Sequence, residues 1–377
     1  MFVVMQQGAT EEQIDAVINL MVEVGFDVHR STGVIHTVLG GVGGKEEFDL
    51  AVFEVMEGVK EAHRIVSAYK LASRNFRPGG TIVKIRDVEI GGLRVVVMAG
   101  PCSVESRDQI NRSADVVAAA GARVIRGGAF KPRSSPYAFQ GLGEAGLKIL
   151  AEVRAEVGLP VVTEVIDPAS VDLVCAYADM LQIGTRSMQN FTLLQAVGSA
   201  GKPVLLKRGM NATIEEWLMA AEYIAQRGNL DIVLCERGIR TFETATRNTL
   251  DISAVPVAQR LSHLPVIIDP SHSGGRRDLV LPLTRAGIAV GADGIMIDVH
   301  PQPAKALCDG DQALSDDDIR QLAAVMHSLP QMLGRTLTPA PEPATAGSPL
   351  AGSPLAGSPL AGSPLAGPPL ADAASRP

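Results

Sequence analysis

The chain has 377 residues, of which 46% are hydrophobic and 20% charged, and its formal net charge is −7. This composition is typical of a globular protein of about two domains, and an acidic chain gives no electrostatic reason to expect nucleic acid as the main partner. No apolar run approaches the roughly 18 residues of a membrane helix, the N-terminus has no basic leader segment, and four cysteines are too few for a disulfide framework, so we expect a cytoplasmic location.

Residues 1–75 are predicted to form a separate small domain. Phe2–Met5 has the pattern of a strand, and a capping-box pattern over 10–13 begins a helix. Two strands, a second helix over 46–56 and a last strand within 59–68 follow. The order β-α-β-β-α-β is that of a ferredoxin-like sandwich. The glycine-rich segment 40–45 lacks the first glycine and the Ser/Thr of a phosphate-binding loop, so we interpret it as a flexible turn.

Residues 76–335 are predicted to form an α/β domain. A polar linker over 76–80 and a hairpin within 81–90 lead into eight apolar segments that alternate with helix-period segments. The predicted strands are Val95–Ala99, Arg123–Arg126, Val161–Val165, Met180–Ile183, Val204–Lys207, Ile232–Cys235, Val266–Asp269 and Gly294–Val299. Eight buried strands alternating with helices predict a (β/α)8 barrel, that is, a TIM barrel. A doubly wound open sheet is the weaker alternative, because no strand carries a GxGxxG turn.

Residues 336–377 are predicted to be a disordered tail. The pentad Ala-Gly-Ser-Pro-Leu repeats through 346–370. Proline removes a backbone donor in every pentad, and the small residues around it offer little apolar area to bury. We expect a flexible appendage, with a docking role as the alternative.

Cationic side chains gather at the predicted carboxyl ends of the strands, where barrel enzymes place their active sites. They are Arg126, Lys131, Arg133, Arg186, Lys207 and Arg237. Six cations at one mouth of an acidic protein would repel one another without anionic ligands, so we expect two phosphorylated small molecules as substrates. The alternative is that they pair with the barrel carboxylates Glu164, Glu236 and Asp269. A Schiff base on Lys207 is a further alternative.

A second group of strand-end residues has the chemistry of a metal site. It consists of Cys102, His272, Asp298 and Asp309. Thiolate, imidazole and carboxylate together suit a divalent manganese, iron, cobalt or zinc ion. His300 is a possible rival ligand, although a packing role in its turn is an equal alternative. We interpret Cys175, Cys235 and Cys308 as inert.

Five motifs in order resemble those of the 3-deoxy-D-arabino-heptulosonate 7-phosphate (DAHP) synthases. The motifs are Gly100–Glu105, Arg126–Ser135, Leu206–Gly209, Cys235–Gly238 and Asp269–Gly275. The chain resembles in particular the type I-beta subgroup, which has an N-terminal ferredoxin-like regulatory domain. The resemblance covers about residues 1–335. It implies a metal-dependent, aldol-like condensation of phosphoenolpyruvate with D-erythrose 4-phosphate and water, the first step of the shikimate pathway of aromatic amino acid biosynthesis.

The resemblance also implies a role for each site residue. Cys102, His272, Asp298 and Asp309 would hold the metal, although the family usually has glutamate at the position of Asp298. The phosphate of phosphoenolpyruvate would bind to Arg186, Lys207 and Arg237, with Gly184 and Thr185 beside them. Its carboxylate would bind to Arg126 and Lys131. The phosphate of erythrose 4-phosphate would bind to Arg133 and Ser134. Lys131 would move a proton to the new hydroxyl, and Glu164 would lie near the reacting water; with Cys102 and His272 they form the implied catalytic set.

Two alternatives stay open at this point. The 3-deoxy-octulosonate 8-phosphate synthases use the same barrel, but their segment after the second strand is one residue longer than 131–134 of this chain. A non-catalytic protein that senses amino acids is the other alternative. The resemblance implies a homotetramer whose N-terminal domain binds tyrosine or phenylalanine as an allosteric inhibitor. That domain is otherwise an oligomerisation module.

Overall fold

The computed structural model of the protein describes residues 1–33, 36–43, 48–63, 68–133 and 135–339. These residues form a small N-terminal sheet domain followed by a barrel. No helix in this described part is long and apolar enough to cross a membrane.

The N-terminal domain is the predicted ferredoxin-like sandwich. Its elements are β1 (Phe2–Met5), α1 (Glu11–Glu23), β2 (Phe26–Thr32), β3 (Thr37–Gly43), α2 (Ala51–Glu54) and β4 (Val59–His63). The four strands are antiparallel in the order β2-β3-β1-β4. Thr10 caps α1 in a capping box with Gln13, and the apolar face of that helix packs on the sheet. The second helix is shorter than the predicted 46–56, whose first residues 46 and 47 lie outside the described residues.

The glycine-rich segment is not the turn that we predicted, since Gly40–Gly43 belong to β3. A Cβ at Gly40 would lie 2.5 Å from the ring of Phe76, and one at Gly41 would lie 2.8 Å from Met21. The glycines therefore leave space for large side chains against the strand. Gly44 and Lys45 lie outside the described residues.

The second domain is a closed barrel of eight parallel strands. The strands are β7 (Arg94–Gly100), β8 (Val124–Arg126), β9 (Val161–Val165), β10 (Met180–Ile183), β11 (Val204–Lys207), β12 (Ile232–Glu236), β13 (Val266–Ile268) and β14 (Gly294–Asp298). Each pairs with the next, and β14 closes the barrel on β7. The helices are α3 (Arg107–Ala119), α4 (Glu144–Val157), α5 (Val171–Tyr177), α6 (Phe191–Gly198), α7 (Ile214–Ala225), α8 (Ala254–Leu261), α9 (Pro270–Gly274), α10 (Arg277–Ala289) and α11 (Asp316–Met332). The prediction of a (β/α)8 barrel is confirmed.

A two-stranded hairpin closes the amino-terminal end of the barrel. Its strands are β5 (Val83–Ile85) and β6 (Val88–Ile90), joined through Arg86 at φ +54°. Their four apolar side chains are buried in one cluster with inward-facing residues of the barrel strands, such as Val96 and Met98. The functional groups are therefore left to the opposite, carboxyl end.

Part of the connection between the domains is packed against the barrel. Phe76, the first residue of the predicted polar linker, is fully buried, whereas Pro78 and Gly79 are exposed. Upstream, the backbone amides of Leu71 and Ala72 donate hydrogen bonds of 3.0 and 2.8 Å to the carboxylate of Glu222 on α7. An apolar core and a buried carboxylate thus fix this segment against the barrel.

The ordered chain continues past residue 335, where we predicted the barrel to end. Thr336 and Leu337 form β15, which pairs in parallel with Arg94 and Val95 of β7. Arg123 donates a hydrogen bond to the carbonyl oxygen of Thr338. Residues 340–377, with the pentad repeats, lie outside the described residues.

Candidate active site

The predicted cations meet in one cavity at the carboxyl end of the barrel. Its volume is about 320 Å³. The lining includes all six predicted cations together with Glu164, Gly184, Thr185, His272 and Asp309. Parallel strands of a barrel end at the same rim, which is why residues spread over 180 positions of the sequence come together here. Ser134 lies outside the described residues.

The cations differ in their partners. Lys207 Nζ lies 2.5 Å from Asp269, whereas Glu236 pairs with Arg208 at 2.9 Å. Arg237 is 5% exposed and donates hydrogen bonds to the backbone carbonyl oxygens of His272 and Gly238. Burial lowers the pKa of Arg237. A buried guanidinium held by neutral carbonyl oxygens is suited to an anionic ligand.

Glu164 is the buried carboxylate of the cavity. It accepts a hydrogen bond of 3.2 Å from Gln182 on the neighbouring strand. A Cβ at Gly184 would lie 1.9 Å from its Oε1 atom, so a larger residue would require this carboxylate to move. Gly184 therefore leaves space for the Glu164 carboxylate next to the predicted substrate-binding residues.

Potential metal ligands lie at one side of the same cavity. Cys102 Sγ lies 3.8 Å from His272 Nε2 and 3.0 Å from Asp309 Oδ2. His272 Nε2 and Asp309 Oδ2 are 3.9 Å apart. Asp309 adopts a left-handed backbone conformation with φ +52°. The His272 charge and the hydrogen bond from Cys102 outweigh burial and hold the pKa of Asp309 well below its usual range.

Asp298 is fully buried beneath this group. One carboxylate oxygen lies 2.8 Å from Arg126 Nη1, and the other accepts a hydrogen bond of 2.6 Å from Gln312. One ligand atom each of Cys102, His272 and Asp298 lies within 4.8 Å of the others. Asp298 is therefore close to the group. Its Oδ2 atom is hydrogen-bonded to Gln312, whereas its buried Oδ1 atom lies beside the Arg126 guanidinium without forming a hydrogen bond.

Cys308, which we interpreted as inert, belongs to this group. Its Sγ atom lies 3.6 Å from that of Cys102 and 3.1 Å from Asp309 Oδ2, and Arg133 donates a hydrogen bond to it. The hydrogen bond between the two thiols, together with burial, raises the pKa of Cys102 well above its usual value. At Cys308 the same hydrogen bond outweighs burial and lowers the pKa. Cys308 precedes the predicted metal ligand Asp309 in the sequence, and this position was the signal that could have predicted its place in the site.

His272 is held by a buried carboxylate that the sequence analysis did not assign to the site. Asp269, at the N-cap of α9, accepts a hydrogen bond of 2.9 Å from the backbone N–H of His272 and lies 2.8 Å from its Nδ1. Burial alone would raise the pKa of Asp269, but the positive charges of His272 and Lys207 lower it. Despite burial, the charges of Asp269 and Asp298 raise the pKa of His272 to about 9. A carboxylate behind the ring directs Nε2 toward the thiols.

A further arginine borders the site although the sequence analysis did not predict it. Arg247 lines the cavity and donates hydrogen bonds to Asp309 at 2.9 Å and to Gln312 at 3.0 Å. It lies in the long loop after β12, where no sequence pattern marked it. His300, the rival ligand, instead lies 3.3 Å from Glu105 and accepts a hydrogen bond from the backbone of Gln302.

Lys131 connects the cations with the thiols. Its Nζ atom donates hydrogen bonds of 3.1 Å to both the sulfur and the carbonyl oxygen of Cys102. Burial alone would lower the pKa of Lys131, but its electrostatic interactions with Cys102 and Glu164 raise it. The ammonium group thus stays charged at the centre of the cavity.

The chain is similar to known proteins over both domains. Residues 72–334 match the DAHP synthetase I family, and residues 1–67 match the DAHP synthase ferredoxin-like domain. A phospho-2-dehydro-3-deoxyheptonate aldolase of Thermotoga maritima is 51% identical over 334 residues, which are 89% of this chain and 99% of that protein. The crystal structure of the DAHP synthase of that organism superposes with a TM-score of 0.72 at 50% identity, covering 89% of this chain and 99% of the other. A 2-dehydro-3-deoxyphosphooctonate aldolase of Syntrophotalea carbinolica is 34% identical over 66% of this chain and 95% of its own length.

Proposed function

The chain belongs to the DAHP synthetase I family, and from this premise we propose how its barrel cavity carries out the family's reaction. Phosphoenolpyruvate, erythrose 4-phosphate and water give DAHP and inorganic phosphate. The observation that carries the proposal is the meeting of six predicted cations and a thiol–imidazole–carboxylate group in one cavity of about 320 Å³.

Five of the six cations bind phosphoenolpyruvate. Arg186, Lys207 and Arg237 take its phosphate, and Arg126 and Lys131 take its carboxylate. Four of them, Arg126, Lys131, Lys207 and Arg237, are buried, whereas Arg186 lines the same cavity but is exposed. The burial of these four supports the division, because a preformed, water-poor site strengthens each contact with a multiply charged anion. The same site holds two mutually repelling substrates at reacting distance.

Arg133 and Ser134 take the phosphate of erythrose 4-phosphate. Arg133 lines the cavity and contacts Cys308, so a sugar phosphate on this guanidinium directs the aldehyde toward the thiols. Arginine is suited to the task because its fork of donors matches phosphate oxygens.

The residues present fit a divalent metal ion. The sulfur atoms of Cys102 and Cys308 and a carboxylate oxygen of Asp309 form one group, and His272 Nε2 lies 3.8 Å from Cys102 Sγ and 3.9 Å from Asp309 Oδ2. His272 also has a carboxylate behind it. Cys102, His272 and Asp309 would hold the ion, with Asp298 as a fourth candidate. When bound, the ion supplies Lewis-acid polarisation of the aldehyde. Its identity among manganese, iron, cobalt and zinc stays open.

Proton transfer falls to Lys131. Carbon 3 of phosphoenolpyruvate attacks the aldehyde, water adds at carbon 2, and the hemiketal phosphate then loses inorganic phosphate by C–O cleavage. The charged Lys131 ammonium gives a proton to the oxygen that becomes the new hydroxyl. Glu164, across the cavity, receives one from the water.

A comparison of two sugars tests the proposal. Phosphate release and product formation are measured with phosphoenolpyruvate and either erythrose 4-phosphate or arabinose 5-phosphate. We expect the four-carbon sugar to react faster. Faster reaction of arabinose 5-phosphate would favour the octulosonate activity of the 34% identical relative, and no release with either sugar would favour a non-catalytic protein. Chelation followed by addition of single metals identifies the ion.

The N-terminal domain is the proposed site of regulation. It matches the DAHP synthase ferredoxin-like domain over residues 1–67. We expect tyrosine or phenylalanine to bind it between subunits of a homotetramer in the cytoplasm. If a variant lacking residues 1–70 is active and still inhibited by the same amino acid, the inhibitor binds elsewhere.

A further inference from the structure

The position of Asp298 raises the question of which group completes the metal site. Asp298 is fully buried, and its two oxygens face Arg126 and Gln312. It approaches His272 at Nδ1, at 3.6 Å, the nitrogen that Asp269 also faces. The Nε2 nitrogen, which points toward Cys102, is on the other edge of the ring. A fourth ligand is better placed if it lies beside Cys102 and Asp309.

Cys308 lies at that place. Its sulfur is 3.6 Å from Cys102 Sγ and 3.1 Å from Asp309 Oδ2. In a tetrahedral site with metal–sulfur bonds of about 2.3 Å and metal–nitrogen or metal–oxygen bonds of about 2.0–2.1 Å, two sulfurs are about 3.8 Å apart and a sulfur and a nitrogen or oxygen about 3.5 Å. The observed 3.6 Å between the two sulfurs and 3.8 Å between Cys102 and His272 lie within about 0.3 Å of such edges, whereas the 3.0 Å between Cys102 and Asp309 is about 0.5 Å shorter.

We propose that Cys308 is a direct metal ligand, so that Cys102, Cys308, His272 and Asp309 hold the ion and Asp298 instead orients Arg126 and His272. The inference rests on the proposed function, because it concerns the ion of that same site. The donor set then has two thiolates, one imidazole and one carboxylate.

A second thiolate changes the metal preference of the site. Soft sulfur donors favour zinc, cobalt and ferrous iron over manganese, which prefers oxygen. Arg133 donates a hydrogen bond to Cys308, and Lys131 donates one to Cys102. Each sulfur therefore has a cation beside it, which offsets the negative charge that two thiolates bring into a buried site.

Cobalt spectroscopy of the full-length enzyme tests the inference. The protein is kept under reductant, stripped with a chelator and reloaded with Co²⁺ alone. X-ray absorption is expected to count two sulfur ligands. In Cys308→Ser the sulfur count falls to one, the thiolate-to-cobalt charge-transfer band falls by about half, and competition shifts toward Mn²⁺ by about tenfold or more.

The controls separate the possible outcomes. Cys175→Ser, on α5, keeps the wild-type spectrum, and Asp298→Asn keeps two sulfurs. One sulfur in the wild type, or an unchanged spectrum in Cys308→Ser, overturns the inference. Because the wild-type count decides by itself, a poorly folded variant does not remove the test.

Activity is measured on the same samples and decides a different question. DAHP formation with one sulfur ligand means that the inference fails and the proposed function stands. Two sulfur ligands without DAHP formation mean that the inference stands and the proposed function fails.

Discussion

Replacing Asp269 by asparagine removes the charge that connects the proposed metal ligand His272 to Lys207, a proposed phosphate-binding residue. Asp269 is fully buried, 2.5 Å from Lys207 Nζ and 2.8 Å from His272 Nδ1. The variant keeps the size of the side chain but leaves the Lys207 ammonium, whose side chain is 5% exposed, without its carboxylate. Breaking a buried pair in this way costs about 3–5 kcal/mol, which we expect to lower Tm by roughly 5 °C.

Metal binding is the second measured quantity for Asp269→Asn. A carboxylate behind a ligating histidine fixes its ring, and its loss weakens metal affinity by about 10–100-fold. Inorganic phosphate is expected to raise the Tm of the variant more than that of the wild type, because the anion restores a partner to Lys207. The assays are a competition titration against a chromophoric chelator and a thermal scan with and without phosphate.

Asp293→Asn is the matched control. Asp293 is also buried and pairs with Arg335 at 2.8 Å, but at the base of the barrel. It should lower Tm without changing metal affinity or the response to phosphate. Metal affinity within twofold of the wild type in Asp269→Asn would refute the orienting role. An equal phosphate response in both variants would refute the link to Lys207.

Three further predictions concern single residues. Lys131→Met should abolish turnover while the circular dichroism spectrum stays that of the wild type. Turnover at the wild-type rate excludes Lys131 as the proton donor. Gly184→Ala should lower kcat/KM for phosphoenolpyruvate by at least tenfold, because its methyl group would overlap Glu164, and steady-state kinetics measure this. Burial lowers the pKa of His263, which is bonded to Thr81, to about 4. The pKa of His263 in the folded protein is below the unfolded value of 6.5, so neutral His263 contributes stability above pH 6.5 that is lost as the pH falls toward 4. This contribution is at most about 3 kcal/mol. In His263→Gln the dependence of Tm on pH should therefore be weaker.

The barrel was predictable because its strands are buried on both sides. Runs such as Val161–Val165 and Met180–Ile183 are buried at every position and mostly apolar, and their bounds match the prediction. The glycines of β3 were wrongly interpreted as a turn. Gly40 leaves space for the ring of Phe76, a residue 36 positions away. Local pattern contains no information on such a contact.

The cations of the site were predictable from strand ends, whereas its connections were not. The rim of a barrel brings strand ends together whatever the loops do, so Lys207 and Arg237 were found by position alone. Cys308 and Arg247 lie in loops whose path depends on tertiary packing. Asp269 stood within a recognised motif, but its contact with both Lys207 and His272 is a property of the folded chain.

The hairpin over 83–90 closes the barrel at its amino-terminal end, so the cavity opens only at the carboxyl end. Everything that enters must leave by the opening through which it came, since the far end is filled with valine and isoleucine side chains. Phosphate released in one turnover therefore occupies the way in for the next phosphoenolpyruvate. Solution phosphate would therefore compete with phosphoenolpyruvate for the emptied cavity and would not affect the bond-making steps.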